Sequence, residues 1–170
     1  MAKVGLFYGS TTGNTASAAE KIQAALGGDS VVEVFDMANA QLSDLLNYDY
    51  LIIGSPTWNV GDLQDDWEAV IDEFDGMDFS GKTVAYFGTG DSVGYADNFM
   101  DAVGILEEKI TGLGGKTVGM WSTADYDFSE SRAVRGDKFC GLALDEDNES
   151  EKTDDRITNW TAQVKSEMSL

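Results

Sequence analysis

The sequence predicts an α/β fold in which helices cover both faces of one open parallel sheet. Apolar strand-length segments alternate with segments of helical spacing along the 170-residue chain. Residues 50–54, Tyr-Leu-Ile-Ile-Gly, are apolar throughout, which is typical of a strand covered on both faces. Because alternating strands and helices favour parallel connections, we expect a doubly wound sheet in one domain over residues 1–170.

Short apolar runs mark the expected strands. They are residues 3–8, 31–35, 50–54, 82–88, 116–121 and 139–144. Apolar residues at helical spacing indicate four helices between or after these runs. The helical patterns cover residues 16–26, 63–74, 99–113 and 157–168, and Asp154 is the expected cap of the last helix.

The polar segment 122–138 does not fit this alternation. It has no clear period, and it is too long for an ordinary connection between a helix and a strand. Apolar runs lie directly before and after it. We therefore expect an excursion that interrupts the fifth strand of the sheet.

Composition excludes several classes of function. The chain has 11 Lys and Arg against 31 Asp and Glu, a net charge of −20 that disfavours nucleic-acid binding. It has no histidine, which excludes histidine triads and imidazole metal sites, and its single cysteine, Cys140, excludes an internal disulfide. Without a secretory signal or a membrane-spanning run, we expect a soluble, cytoplasmic protein that does not insert into membranes.

The first loop expected at the ligand side of the sheet is residues 10–15, Ser-Thr-Thr-Gly-Asn-Thr. It follows the first strand, opens the first helix, and contains four hydroxyl groups and no basic residue. Free backbone N–H groups and the helix dipole favour an anion at such a position. The loop therefore predicts a phosphate site without a cation; the alternative is a helix start with more capping side chains than it needs.

Two further loops follow the third and fourth strands, and each carries an aromatic residue. Residues 56–61 contain Trp58, and residues 89–95 contain Tyr95. In open α/β sheets, ligands bind beyond the carboxyl ends of the strands, so all three loops should meet. A phosphate site with two aromatic rings suits a planar heterocycle that carries a phosphate, and FMN fits that description. Alternatively, Trp58 covers only its own core.

Four runs in these loops together resemble the flavodoxin signature. They are residues 6–15, 56–59, 88–91 and 95–99. Residues 122–138 are similar to the insertion of long-chain flavodoxins, and residues 141–148 resemble cyanobacterial and algal members. The resemblance implies a flavodoxin-like fold of five parallel strands in the order 2-1-3-4-5 with FMN at the switch point, which is a known property of that family.

The resemblance also implies a role for each matching residue. The FMN phosphate would be held by Ser10, Thr11, Thr12, Gly13, Asn14 and Thr15. Trp58 and Tyr95 would enclose the isoalloxazine ring. The ring edges and the ribityl chain would contact Thr57, Asn59, Val60, Gly61, Thr89, Gly90, Asp91, Asn98 and Asp147.

No metal site is expected. The acidic run 145–155 departs from the calcium-loop pattern because Ser150 replaces the glycine and Arg156 stands where the bidentate Glu belongs.

The function that the resemblance implies is electron transfer without catalysis by the protein itself. Such a protein is a monomeric, low-potential one-electron carrier that cycles FMN between semiquinone and hydroquinone and replaces ferredoxin. Its implied partners are basic-faced redox proteins such as ferredoxin–NADP reductase and photosystem I, in the cytoplasm or, for an algal protein, the plastid stroma. Acidic residues near the second and third loops would steer these partners, or they form only a solvated face. They are Asp62, Asp65, Asp66, Glu68, Asp91 and Asp97.

Two other functions are compatible with a fold of this class. An FMN-dependent NAD(P)H:quinone oxidoreductase would need a nicotinamide or quinone pocket, and no basic residue near the loops is a candidate for binding the NADPH phosphate. This alternative stays open. A phosphoryl receiver domain would need acidic residues after the first and third strands. Residues 8–10 are Tyr-Gly-Ser and residues 54–56 are Gly-Ser-Pro, so this function is excluded.

Overall fold

A computed structural model describes residues 2–58 and 60–170. Its main sheet has the strand order β10-β5-β3-β1-β2, and β6 and β4 pair with β5 and β3 respectively. The strands are β1 (Val4–Tyr8), β2 (Val32–Asp36), β3 (Tyr50–Trp58), β4 (Asp62–Leu63), β5 (Thr83–Thr89), β6 (Lys116–Val118), β7 (Trp121–Ser122), β8 (Val134–Arg135), β9 (Lys138–Phe139) and β10 (Leu142–Leu144). All pairs in the main sheet are parallel except β3 with β4.

Helices lie on both faces of this sheet, and together they confirm the predicted doubly wound class. The α-helices are α1 (Asn14–Leu26), α2 (Asp65–Glu68), α3 (Asp101–Gly112), α4 (Glu146–Glu149) and α5 (Thr153–Glu167). Three short 3-10 helices cover Leu42–Asn47, Ile71–Gly76 and Ser150–Lys152. Within the described residues, no helix has both the length and the apolar content needed to cross a membrane.

The fifth strand is split by an insertion, as predicted. Strands β6 and β10 both run parallel to β5, β6 beside Thr83–Ala85 and β10 beside Phe87–Thr89. The chain between them forms a small antiparallel sheet in the order β7-β9-β8. The insertion therefore has regular structure of its own, which its polar sequence did not indicate.

Several predicted boundaries were wrong. In the fifth strand, the expected runs 116–121 and 139–144 are only Lys116–Val118 and Leu142–Leu144. Strand β3 continues four residues past Gly54 because β5 pairs with it as far as Pro56 and β4 pairs with it as far as Trp58. The expected helix over 63–74 is instead one turn of α-helix followed by a 3-10 helix, and both still bury their aromatic residues. Asp154 does not cap α5, which begins one residue earlier; its carboxylate pairs with Lys21 at 2.8 Å.

Alternation along the strands builds one hydrophobic core on each face of the sheet. In β1, Leu6 belongs to the core covered by α1 and α5, whereas Phe7 belongs to the core covered by α3. Both side chains are fully buried, as are Trp160 of α5 and Leu106 of α3. Successive strand residues point to opposite faces, so two packed layers hold the sheet in place.

An aromatic cluster fastens the insertion to the rest of the fold. The Tyr126 hydroxyl donates to the Ala143 carbonyl at 2.6 Å and accepts from the Trp121 indole N–H at 2.8 Å. The Tyr126 ring packs edge-on against Phe139, and the Arg156 guanidinium lies 4.2 Å from its centroid. The Tyr126 hydroxyl thus joins the insertion to the end of the split fifth strand.

We expect Tyr126→Phe to lower the free energy of unfolding by about 1–3 kcal/mol, because it leaves a carbonyl and an indole N–H without their partner. Urea unfolding of the wild type and variant measures the loss. Tyr50→Phe is the matched control, since among the described residues the Tyr50 hydroxyl has no hydrogen bond. Equal losses in the two variants would contradict this account of the insertion.

Candidate functional site

Three loops meet at the carboxyl edge of the parallel strands, together with helix α4. We call them loop one (residues 9–15, after β1), loop two (56–61, which includes the end of β3) and loop three (89–98, after β5). A cavity of about 360 Å³, the central cavity, lies among them. Its lining residues are Thr12, Asn14, Pro56, Thr57, Trp58, Thr89, Gly90, Asp91, Tyr95, Glu146 and Asp147.

A second cavity of about 420 Å³ shares Trp58 with the first. Its other lining residues are Thr11, Asp62, Leu63, Asp65 and Glu68, so we call it the acidic cavity. In the described part of the chain, neither cavity is lined by a lysine or an arginine. A ligand phosphate here would therefore depend on neutral donors.

Loop one presents such donors. The N–H of Gly13 donates to the Ser10 hydroxyl oxygen at 3.2 Å, and the Ser17 N–H makes the first bond of α1, to the Gly13 carbonyl at 2.9 Å. Gly13 has a φ of +96°, which favours glycine. Among the described residues, the amides of residues 11, 12, 14 and 15 have no acceptor. These open donors at a helix start favour an anion.

The hydroxyl of Thr15 connects loop one to loop three. It lies 3.0 Å from the hydroxyl of Thr89, and both side chains are buried. Thr15 was predicted to hold a phosphate; its side chain lies beside the end of β5, and the residue lines neither cavity. Its backbone N–H remains one of the open donors of loop one.

Loop two places the indole of Trp58 between the two cavities. The Trp58 Nε1 atom is buried and has no hydrogen-bond partner among the described residues. The Thr57 hydroxyl accepts from the Ala102 N–H at 3.1 Å, which anchors the end of β3 to α3. The side chain of Val60 is 75% exposed. Asn59, a predicted site residue, lies outside the described residues.

Gly61 ends loop two where a larger residue would not fit. Its φ is +85°, and a Cβ atom there would lie 2.7 Å from the Asp101 Oδ2 atom and 3.2 Å from the Asn98 Nδ2 atom. Asn98 donates to Asp101 at 3.1 Å. Gly61 and Asn98 therefore lie against each other beside the central cavity and do not line it.

Loop three is organised by the carboxylate of Asp91. One of its oxygens accepts from the Val93 N–H at 3.1 Å, the Gly94 N–H at 2.7 Å and the Asn148 side chain at 2.8 Å. The Tyr95 ring that follows is 48% exposed. Asp91 thus builds the loop that presents this ring, in addition to lining the cavity.

Helix α4 is fixed beneath loop three by a buried carboxylate. Asp145, fully buried, accepts from the Asn148 N–H at 3.1 Å and from both the N–H and the hydroxyl of Ser92. Oxygens of Asp91, Asp145 and Asp147 lie within 4.8 Å of one another. We assign no metal here, since protein donors already occupy the Asp145 oxygens.

The insertion braces loop three from its outer side. The Ala96 carbonyl accepts from the N–H groups of Ser129 at 2.8 Å and Glu130 at 3.0 Å. The buried Asp101 carboxylate accepts from the Arg132 N–H at 2.7 Å as well as from Asn98. Residues 129–132 thus hold the loop that carries the Tyr95 ring.

The central cavity brings together many of the predicted residues and adds others. Thr12, Asn14, Thr57, Trp58, Thr89, Gly90, Asp91, Tyr95 and Asp147 line it, and Thr11 lines the acidic cavity. Ser10, Gly13, Thr15, Val60, Gly61 and Asn98 lie in the same loops but line neither cavity. Pro56 and Glu146 were not predicted, although both neighbour predicted residues in the sequence. Gln64, whose side chain reaches loop one, was also missed, and no pattern in the sequence marks it.

Two of the three carboxylates that line the central cavity, those of Asp91 and Asp147, differ in their surroundings. The pKa of Asp91 lies below its usual value because Gly94 and Asn148 donate hydrogen bonds to the charged form. The pKa of Asp147 lies above its usual value because of desolvation and the neighbouring charges of Asp91, Asp145 and Glu146. One carboxylate is thus stabilised in its charged form and the other is not.

Comparisons with known proteins agree with this fold and site. The flavodoxin family model matches residues 6–160. A flavodoxin of Picosynechococcus sp. is 63% identical over 165 residues, covering 97% of each chain. A flavodoxin of Synechococcus elongatus is 60% identical over 170 residues, covering all of both chains. The crystal structure of Fusobacterium nucleatum flavodoxin bound to flavin mononucleotide superposes with a TM-score of 0.91 at 30% identity, covering 98% of this chain and 99% of that one.

The fold and the site define an α/β protein with a nucleotide cleft at the carboxyl edge of its sheet. The chain belongs to the flavodoxin family, and its similarity to cyanobacterial members over nearly its whole length, together with the split fifth strand, makes it one of the long-chain type.

We expect Asp91→Asn and Asp147→Asn to change the stability of the apoprotein at pH 7 in opposite directions. The lowered pKa of Asp91 contributes stability above pH about 3.9, and this contribution is lost as pH falls through the lowered value. The raised pKa of Asp147 costs stability at neutral pH, and the cost disappears as pH falls through the raised value. Asp91→Asn therefore destabilises and Asp147→Asn stabilises.

Urea unfolding at pH 7 and pH 3 checks both variants, and each serves as the control for the other. Both differences from the wild type should be smaller at pH 3, because Asp147 loses its charge as pH falls through its raised pKa and the stability from Asp91 declines as pH falls toward its lowered pKa. Changes of the same sign at pH 7 would be inconsistent with the opposite environments.

Proposed function

We propose that this chain is an FMN-binding one-electron carrier and not itself an enzyme. The observation that carries the proposal is the central cavity, which is lined by Trp58, by Tyr95 and by two residues of loop one, Thr12 and Asn14, whose amides have no acceptor among the described residues. Its shape and chemistry fit a planar ring with a phosphate tail. The Fusobacterium relative holds flavin mononucleotide on the same fold.

The donors and the aromatic rings of the site fit FMN. Phosphate oxygens only accept hydrogen bonds, and the open amides of loop one only donate them. We assign the phosphate to residues 10–15 and the ring to Trp58 and Tyr95. The Trp58 Nε1 atom is buried and has no hydrogen-bond partner among the described residues, so it is a donor that a bound ligand could satisfy. Ring edges and ribityl hydroxyls are assigned to Thr57, Asn59, Val60, Gly61, Thr89, Gly90, Asp91, Asn98 and Asp147.

Bound FMN supplies the one-electron chemistry, and the protein sets the conditions for it. Carboxylates line both cavities and no lysine or arginine in the described residues does, so added negative charge is disfavoured. One carboxylate about 6 Å away, at an effective dielectric constant near 20, raises the energy of a unit charge by roughly 3 kcal/mol. That is on the order of 0.1 V for one electron, which favours a low potential.

The oxidoreductase alternative is not favoured. An enzyme that binds NADPH benefits from a cation for the nucleotide phosphate, and among the described residues none lines either cavity. The curated relatives that match over nearly the whole chain are flavodoxins, which carry electrons between other proteins.

Redox proteins with basic faces are the proposed partners, among them ferredoxin–NADP reductase and photosystem I, where the carrier would replace ferredoxin in the cytoplasm. Three exposed apolar side chains lie in loops two and three: Val60, Val93 and Tyr95, with exposed fractions of 75%, 69% and 48%. The acidic cavity adjoins them through Trp58. Apolar contact surrounded by negative charge supports brief, salt-sensitive docking of a basic protein.

We expect the purified apoprotein to take up FMN, turn yellow and quench flavin fluorescence. Tyr95→Ala should weaken FMN binding about 3–10-fold, because it removes one stacked ring worth about 0.5–1.5 kcal/mol beyond its buried area. Val93→Ala, in the same loop but outside the cavity lining, is the matched control. Fluorescence titration measures both dissociation constants.

A chain that remains colourless with FMN would refute the carrier proposal. Sustained oxidation of NADPH by quinone with the FMN-loaded protein alone would favour the enzyme alternative instead.

Removing the charges of the acidic cavity should slow association with ferredoxin–NADP reductase. We expect the triple variant Asp62→Asn, Asp65→Asn, Glu68→Gln to lose about tenfold in association rate at low ionic strength and to depend less on salt. The control removes three carboxylates near the opposite edge of the sheet, Asp29, Asp49 and Asp78. Stopped-flow measurements give the association rate of each variant as a function of ionic strength. Equal slopes for the two triple variants would refute steering by this cavity.

A further inference from the structure

We propose that Gln64 is a positioning residue of the phosphate site, which fixes the direction in which the Thr11 hydroxyl donates its hydrogen bond. Gln64 follows β4 and is 2% exposed. The inference rests on the proposed function, in which loop one holds the FMN phosphate. It assigns a role to a side chain outside both cavity linings.

The orientation of the Gln64 amide is determined by α2. The Gln64 Oε1 atom accepts from the backbone N–H of Asp66 at 3.0 Å. Because that N–H can only donate, the carbonyl end of the amide must face it and the Nε2 atom must face the other way. The Nε2 atom donates to the Asp66 carboxylate at 2.7 Å and to the Thr11 hydroxyl oxygen at 3.3 Å.

This bond prevents the Thr11 hydroxyl from donating toward Gln64. A hydroxyl group has one proton and two acceptor lone pairs, and Thr11 receives the Gln64 donor on one lone pair. Its proton is therefore directed away from Gln64. The Ser10 hydroxyl has the same arrangement, since it accepts from the Gly13 N–H. Both hydroxyls then add donors to the open amides, which matches a ligand that only accepts.

Packing prevents Gln64 from turning. A Cβ atom on Gly9, the first residue of loop one, would lie 2.1 Å from Gln64 Oε1 and 2.9 Å from the Trp67 ring. Trp67 is itself fixed, because its indole N–H donates to the Gly54 carbonyl at 2.9 Å. Gln64 is thus packed between α2 and loop one, so the position of α2 determines where the Gln64 amide lies relative to loop one.

The alternative is that Gln64 only caps α2, and Gln64→Glu separates the two roles. One carboxylate oxygen can still accept from Asp66 N–H and keep the cap. The other oxygen can only accept, so it loses the bond to the Asp66 carboxylate and repels it, while the Thr11 hydroxyl donates to it and turns its proton away from the phosphate. Riboflavin lacks the phosphate, so the ratio of the riboflavin to the FMN dissociation constant isolates the phosphate contribution.

We expect Gln64→Glu to reduce that ratio about tenfold or more and to change riboflavin affinity less than twofold. The same substitution in a Thr11→Val background controls for the added charge, because no hydroxyl remains there to be reoriented. In that background, the reduction of the riboflavin-to-FMN ratio should be several-fold smaller. Gln64→Met, uncharged and of similar length, should also reduce the ratio, by less than Gln64→Glu, and only when Thr11 is present. Urea unfolding of each apoprotein checks its fold. If the buried Glu prevents folding, Gln64→Met measured with and without the Thr11 hydroxyl tests the proposal instead.

The outcomes distinguish the inference from the proposed function. Equal reductions with and without the Thr11 hydroxyl, or parallel losses for riboflavin and FMN, would overturn the role of Gln64 and leave the phosphate site intact. A wild-type ratio near one would show that loop one does not hold the phosphate, and both the site and the inference would then fall.

Discussion

Parallel pairing of β3 with both β1 and β5 is the constraint on which the rest of the molecule depends. Tyr8 pairs with Gly54, and Pro56 pairs with Thr89, so the strands that lead into the three loops end side by side. Right-handed crossovers then place helices on both faces and leave this edge uncovered. A cavity formed by loops from three separate strands follows directly, although the loops are far apart in the sequence.

The loops keep their shape through carboxylates that accept backbone N–H groups. Asp91 organises loop three, Asp145 fixes α4 under it, and Asp101 connects it to the insertion. Among the described residues, each of these carboxylates is stabilised by hydrogen-bond donors and none by a lysine or an arginine, so the site can be strongly acidic and still ordered. In the proposed function, that acidity would disfavour extra negative charge on a bound flavin and would attract basic partners.

Much of this architecture could be predicted from the sequence because it depends on local pattern. The alternation of strands and helices, the interrupted fifth strand and the three ligand-side loops all leave periodic or compositional signals. The helix expected over 63–74 shows the limit of such signals. Trp67 and Phe74 are both buried, with ring centroids 6.4 Å apart, but two short helices achieve this as well as one long helix. Periodicity reports which side chains face the core, and it does not report whether the backbone between them is continuous.

The sequence by itself determined the class of fold, the order in which the loops occur and the types of donor that each loop offers. Only the tertiary structure decided that Thr15 bonds to Thr89, that Glu146 joins the cavity lining, and that Gln64 reaches Thr11. The physical reason is the range of the interactions concerned. Backbone conformation and the periodic pattern of apolar residues are local properties of the chain, whereas these contacts join residues that only the pairing of distant strands and the packing between them bring together.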